Sequence, residues 1–300
     1  MKISRPKCLR FSHQTGIGIT ILMNLTVLPL MLVWTVLGIL LFPALFPVWK
    51  ITTRWNRERI MRQMIWLYGR GWLAIMAPFV WFNREGLDQE EIKPPCILVV
   101  NHLSFFDIFC LALMPFNNVS MTVRAWPFKM LWYAPFMHLA GYLNVERTPW
   151  QKITQAAAGI LARNGGILFF PEGHRSRTGQ LQRFYSGAFK LAVETGTKIV
   201  PLCIAGTDEL LPAGRWWLKP ARVTLRALNP VKPAAFTGPS AHRALQNVVK
   251  KMLAQNLMEI NSPSGQASVV AYQVGRSNFN KLSDSRPPRG SMQGIRNVDI

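Results

Sequence analysis

No Lys, Arg, Asp or Glu occurs between Phe11 and Trp49. The run ITILMNLTVLPLMLVWTVLGILLF within that interval exceeds the roughly 20 apolar residues that cross a bilayer, so it reads as a membrane segment and not as the buried helix of a soluble core. A small-residue cleavage site is also missing, and the apolar run is too long for a secretory signal, which predicts a retained anchor. C-x-x-C spacing is absent as well. Cys8, Cys96, Cys110 and Cys203 are scattered, three of them in apolar surroundings. That pattern excludes a disulfide framework or a cysteine metal site and leaves small hydrophobes or bystanders. No internal repeat is visible.

Acidic residues are few, 14 against 35 Lys and Arg, for a formal net charge of +21. An excess of this kind suits a phosphate backbone, but neither zinc-finger spacing nor an arginine-rich recognition helix accompanies it, and no nucleic acid partner is expected. Anionic lipid explains the charge more simply, since it attracts juxtamembrane basic residues by about 1 kcal/mol each. Lys2, Arg5, Lys7 and Arg10 precede the apolar run, and Lys50, Arg54, Arg57, Arg59 and Arg62 follow it. Equal loading is unusual for a single span. A re-entrant or in-plane pair of helices, broken near Pro29 or Pro43, would keep both basic ends on one side, and both topologies stay open. The second run MIWLYGRGWLAIMAPFVWF, interrupted by Arg70 and rich in tryptophan, suits an interfacial helix.

After about residue 83 the pattern alternates between strand and helix. CILVV, GILFF, KIVPLCIAG and RVTLRALNP read as strands. DIFCLALM, QKITQAAAGILAR (stopped at Asn164-Gly165-Gly166) and GAFKLAVETG read as helices. Alternation of this kind predicts an α/β fold with a central mixed, largely parallel sheet. AHRALQNVVKKMLAQNLMEI reads as an amphipathic helix, and the Ser-, Gly-, Pro- and Asn-rich stretch 261–300 as a flexible tail. Between Met121 and Leu143 a segment dense in Met and aromatics is either core or a lipid-facing acyl groove.

Two polar stretches follow apolar strands. In NHLSFFD, His102 and Asp107 are five residues apart, about 500° around an ideal helix, which leaves roughly 140° between them. At least one therefore lies outside regular helix. If CILVV is a strand, His102 falls in the loop at its carboxyl end and Asp107 on the first turn of the next helix, where open α/β sheets bind ligands. The carboxylate would hold one imidazole nitrogen and leave the other free as a general base, although a capping or core hydrogen bond explains the pair equally well. FPEGHRSRTG, Phe170 to Gly179, gathers glycines whose amides can face an anion with Arg175 and Arg177, whose guanidinium groups can grip phosphate oxygens. No G-x-S-x-G elbow and no H-E-x-x-H metal pair is present.

These residues resemble the glycerolipid acyltransferases, the family typified by 1-acylglycerol-3-phosphate acyltransferase. NHLSFFD fits its N-H-x-x-x-x-D signature and FPEGHRSRTG its F-P-E-G-x-R-S signature. GYLNVER and IVPLCI resemble its second and fourth blocks. The resemblance covers about residues 83 to 230 and implies an O-acyltransferase that works without cofactor or metal. By it, His102 deprotonates the free hydroxyl of a lysophospholipid acceptor, which attacks the thioester of acyl-CoA or acyl carrier protein, while Asp107 orients the histidine. It further implies that Arg147, Glu172, Gly173 and Arg175 shape the headgroup site. His174, where the family usually has threonine, and the lead Asn144-Val145-Glu146 depart from its pattern at that headgroup.

The organisation expected is a membrane-associated helical region 1–82, an α/β acyltransferase domain 83–260 and a tail 261–300, the protein held at membrane lipid with its active site on the cytoplasmic face. Lysophosphatidate, giving phosphatidate in phospholipid biosynthesis, is the leading acceptor. A lyso-ornithine lipid or another lysophospholipid, a lipid thioesterase and a purely structural membrane protein are the alternatives.

Overall fold

The computed structural model describes residues 16–131 and 133–262. It divides into a compact unit Met1–Met258 and a second unit Glu259–Ile300. Of the second unit, the described residues are only the last turn of a helix, where the Ser262 amide donates to Glu259 O at 3.1 Å. The expected tail beyond Ser262, like Cys8 and the basic cluster Lys2 to Arg10, lies outside the described residues.

The charge-free stretch forms one helix, α1 (Ile17–Thr53), with Pro29, Pro43 and Pro47 inside it. The break near Pro29 or Pro43 that a re-entrant or in-plane pair would need is therefore not there. Proline removes one amide donor and crowds the preceding turn, but this helix is tied to the rest of the molecule on both sides of Pro29. Asn24 exchanges two 2.8 Å bonds with the Leu218 backbone. Trp34 Nε1 donates to Tyr68 O at 3.0 Å, and the Thr35 hydroxyl meets the Tyr68 hydroxyl at 2.7 Å. At 1.5 Å per residue the helix is about 55 Å long, well beyond a hydrocarbon core of ~30 Å. Its apolar side chains are mostly exposed, and it is long and apolar enough to cross or enter a membrane.

After three residues the chain returns as α2 (Arg57–Met76), capped by Asn56, whose side chain accepts from the Arg59 amide. The interfacial helix expected to reach Phe82 stops at Met76, because Pro78 cannot continue it. Val80–Glu85 is strand β1 instead. The remaining elements run β2 (Cys96–Val100), α3 (Asp107–Cys110), β3 (Val119–Val123), α4 (Ala134–Leu139), β4 (Leu143–Asn144), α5 (Trp150–Ala162) and β5 (Gly166–Phe169). They continue as α6 (Gly187–Thr195), β6 (Ile199–Ala205), α7 (Thr207–Leu210), β7 (Ala221–Ala227) and α8 (Ala241–Asn261).

One sheet of seven strands joins them in the order β1-β7-β6-β2-β5-β3-β4. All neighbours pair in parallel except β6 with β7, so the sheet is mixed and largely parallel, as expected. The four strands read from sequence are present. β1, β3 and the two-residue edge strand β4 were missed, because their side chains mix Met, aromatic and polar types without a clean period. The Met- and aromatic-rich segment is partly core: Met137, Ala140 and Tyr142 pack with Met61 of α2, while Trp126 and Leu131 are exposed. Every residue of β2, β5 and β6 is buried, which makes them the interior strands. Cys96, Cys110 and Cys203 are buried, and burial pushes the Cys96 thiol up to about 12, consistent with small hydrophobes.

Candidate active site

β2 and β5 are adjacent, with Val99 opposite Phe169. Counting on three residues from each member of that pair reaches His102 on one loop and Glu172 on the other. The two motif loops, 70 residues apart in sequence, thus leave neighbouring strands at the same edge. After β2 the chain moves toward β3, and after β5 it crosses to β6 on the far side of β2. That reversal is the crevice where open α/β sheets take their ligands.

Asn101 fixes the base of the first loop. It is buried, donates to Ile204 O and accepts from the Ile204 amide, both at 2.8 Å, and so locks the end of β2 to β6. Beyond it His102 Nδ1 lies 2.7 Å from Asp107 Oδ2. The same oxygen accepts the amides of Leu103 at 2.7 Å and Ser104 at 2.9 Å. The five-residue spacing works because His102 is in the loop while Asp107 opens α3. The Asp107 side chain is fully buried and that of His102 is 18% exposed. The imidazole stacks on Phe170, with centroids 4.2 Å apart. Nδ1 is thereby committed, and Nε2 has no partner among the described residues.

Asp107 Oδ1 accepts a 2.6 Å bond from Thr207 Oγ1. No sequence signal marked Thr207, which is 100 residues away. It stands just after Gly206, where φ is +84° and a Cβ would fall 1.8 Å from Arg222 O. Only glycine fits that corner, and the corner aims the hydroxyl. Thr207 is therefore placed to position Asp107. Thr207→Val leaves a fully buried carboxylate oxygen without its donor, at a cost of about 1–3 kcal/mol. The expected result is a fall in kcat of roughly tenfold with KM for the acceptor unchanged, restored by Thr207→Ser. A KM effect, or failure of the serine to restore kcat, would contradict the role.

Glu172 is nearly fully buried. Its two oxygens accept the amides of His102 and Gln182, each at 2.8 Å. Burial pushes its carboxyl above the usual value, opposed by these amides. The Ser176 amide donates to His102 O at 2.7 Å. The second loop is thus clasped to the first through backbone, and the Glu172 carboxylate faces the protein instead of an incoming headgroup. Gly173 holds φ +71°, and a Cβ there would meet the Tyr185 ring at 2.7 Å.

Arg175 and Arg147 are exposed, and their guanidinium groups make no hydrogen bond or ion pair among the described residues. Arg175 stands on the second loop beside Ser176. Arg147 follows β4, three strands from β2 at the same edge of the sheet, or about 14 Å at ordinary strand spacing. No contact brings Arg147 to the His102–Asp107 pair. The Asn144-Val145-Glu146 lead is a closed turn: Asn144 Oδ1 accepts the amides of Glu146 and Arg147, and Glu146 binds Arg124 and the Ala125 amide. His174 is exposed.

Beside the first loop an apolar cavity of about 310 Å³ is lined by Leu28, Met31 and Leu32 of α1, Trp72 of α2, the motif residues Phe105 and Phe106, and Leu211, Trp216 and Leu218. It lies at the junction of α1 with the sheet domain and not in the 121–143 segment. Among the described residues no cluster of His, Cys, Asp and Glu is arranged to hold a metal.

Residues 83–205 match the family model described as Acyltransferase, a span from β1 to the end of β6 that contains both motif loops. A 1-acyl-sn-glycerol-3-phosphate acyltransferase of Chlamydomonas reinhardtii is 32% identical over 199 residues, 62% of this chain and 58% of that protein. A chloroplastic protein of that name from Arabidopsis thaliana is 31% identical over 153 residues, 48% of this chain and 41% of that protein. The chain thus spans less than two thirds of the length of these relatives. The crystal structure of the 1-acyl-sn-glycerophosphate acyltransferase of Thermotoga maritima has the same fold, with a TM-score of 0.62, 80% of this chain and 99% of that chain covered, and 22% identity. Through residues 83–205, the chain is therefore similar to the acyltransferase family.

Proposed function

We propose that the protein transfers a fatty acyl group from acyl-CoA or acyl carrier protein to the free hydroxyl of 1-acyl-sn-glycerol-3-phosphate, giving phosphatidic acid. The observation that carries this reading is the His102–Asp107 pair, with Nδ1 held and Nε2 free, at the sheet crevice of a domain whose relatives bear that activity in their names. Nε2 takes the proton from the acceptor hydroxyl as its oxygen attacks the thioester carbonyl carbon. The imidazolium is stabilised by Asp107. The tetrahedral intermediate collapses, the C–S bond breaks, and the thiolate leaves with the proton returned by His102. No covalent acyl-enzyme forms.

The amides of Leu103, Ser104 and Gly173 are committed to internal acceptors. Those of His174 and Arg175 have none among the described residues and are the donors supporting the negative charge on the thioester oxygen. The exposed guanidinium groups of Arg147 and Arg175 bind the acceptor phosphate. Glu172 and Gly173 shape the site by holding the second loop. The apolar cavity beside Phe105 and Phe106 takes hydrocarbon chain. The 1–82 helical region serves as the membrane anchor of the 83–260 domain, and the basic residues flanking α1 favour a cytoplasmic active site.

The test is purified protein in bilayers with labelled acyl-CoA or acyl carrier protein and a panel of lyso-lipids. Transfer to lysophosphatidate is expected. Transfer confined to an acceptor without phosphate would overturn the roles of Arg147 and Arg175, and thioester cleavage without acylated lipid would replace the transferase by a hydrolase.

A further inference from the structure

A second cavity, this one basic, lies away from the candidate active site, where α1 turns into α2. Its volume is about 340 Å³, and it is lined by Arg54, Trp55, Asn56, Arg59, Arg62, Asn118 and Arg163. Four guanidinium groups meet here, and Glu58 is the carboxylate that answers them, bound to Arg62 at 3.3 Å and Arg163 at 3.5 Å. Arg62 is buried and each of its three nitrogens donates within the protein, to Ala140 O, Asn118 Oδ1 and Glu58, so it builds the floor. Burial holds its guanidinium below the usual value.

Arg54 and Arg59 are different. Arg54 makes no ion pair or hydrogen bond among the described residues, and φ +55° places it at the left-handed end of α1. Arg59 stacks over the Trp55 ring at 4.1 Å, which fixes its plane, yet its Nε is buried without a partner. A buried guanidinium donor with no acceptor is costly unless something occupies the cavity. Planar arginines offering paired donors suit the oxygens of a phosphate.

Asn118 immediately precedes β3, and its carbonyl accepts the Gly166 amide at the start of β5. The cavity is therefore at the amino ends of these parallel strands. His102 is at their carboxyl ends, about 17 Å away along a five-residue strand. The apolar stretch of α1 ends at Trp49, and Val48 and Ile51, in the last two turns before Arg54, are 58% and 78% exposed. A cationic hollow next to exposed apolar helix surface matches a phosphate joined to hydrocarbon better than a free ion.

We propose that this cavity binds the phosphate of an anionic membrane phospholipid, at a site separate from that of the acyl acceptor. The lipid would fix the turn between α1 and α2 at the membrane surface.

The test uses the full-length protein in detergent, titrated with short-chain phosphatidylglycerol or phosphatidylcholine and followed by native mass spectrometry. Phosphatidylglycerol is expected to bind about thirtyfold more tightly than phosphatidylcholine, from two basic side chains in contact with its phosphate. Arg54→Ala/Arg59→Ala is expected to lose that preference while its transferase kcat is unchanged. Arg147→Ala/Arg175→Ala, and the surface control Lys190→Ala/Arg243→Ala, are expected to keep it. Retention of the preference in Arg54→Ala/Arg59→Ala, or its loss in Arg147→Ala/Arg175→Ala, would overturn the proposal. So would full displacement of phosphatidylglycerol by millimolar inorganic phosphate, which would make the cavity a free-anion site.

Discussion

His102→Ala lowers kcat for acyl transfer by roughly 10³-fold, the usual weight of a positioned general base. The expectation rests on one free nitrogen. Nδ1 is held by Asp107 at 2.7 Å, and Nε2, without a partner among the described residues, is the nitrogen that the proposed reaction uses. The fold survives the change. Asp107 retains donors from Leu103, Ser104 and Thr207, and the lost ring is a partly exposed one stacked on Phe170. The measurement is steady-state transfer to lysophosphatidate beside a thermal melt and a vesicle-flotation assay. Kcat should collapse while melting and flotation stay near wild type. Transfer within tenfold of wild type would remove His102 from the role of base.

Asp107→Asn is the second large effect, and the geometry sets its size. In a triad where the amide can turn its NH₂ toward the histidine, the wrong tautomer is selected and about 10⁴-fold is lost. Here the oxygen that faces His102 also accepts two backbone amides. An asparagine is forced to keep its carbonyl oxygen there, with NH₂ toward Thr207, whose hydroxyl can rotate to accept. Nδ1 then still donates to an oxygen, and what disappears is the negative charge beside the developing imidazolium. The expected loss in kcat is therefore smaller, on the order of 10²-fold. In the double variant Asp107→Asn/Thr207→Val, the NH₂ loses its acceptor and a further fall is expected. A drop for Asp107→Asn as large as that for His102→Ala would show that the amide had flipped despite the backbone donors.

Much of the site was legible because it is local. His102 and Asp107 share one loop and one helix start, and their spacing excluded a common helix face. That strands CILVV and GILFF would carry polar loops at their ends followed from apolar runs bounded by turn residues. Glu172 was legible as a motif residue but not in its contacts, because its partners are backbone amides 70 and 10 residues away. Thr207 and the reciprocal Asn101–Ile204 bonds left no trace in the sequence, because they join residues about a hundred positions apart. The unbroken course of α1 was equally hidden. Proline statistics describe an isolated helix, whereas Asn24, Trp34 and Thr35 hold this one from outside.

By itself the sequence determined the apolar character of the N-terminal helix, the α/β alternation and the residue types gathered in the two motif loops, since each depends on composition and spacing within one segment. Only the tertiary structure decided that β2 and β5 are neighbours in register, which puts Glu172 on the His102 amide. It also decided that Gly206 turns Thr207 onto Asp107 and that four arginines converge at the turn between α1 and α2. Strand order and register come from packing among distant segments, and a one-dimensional pattern does not carry that information.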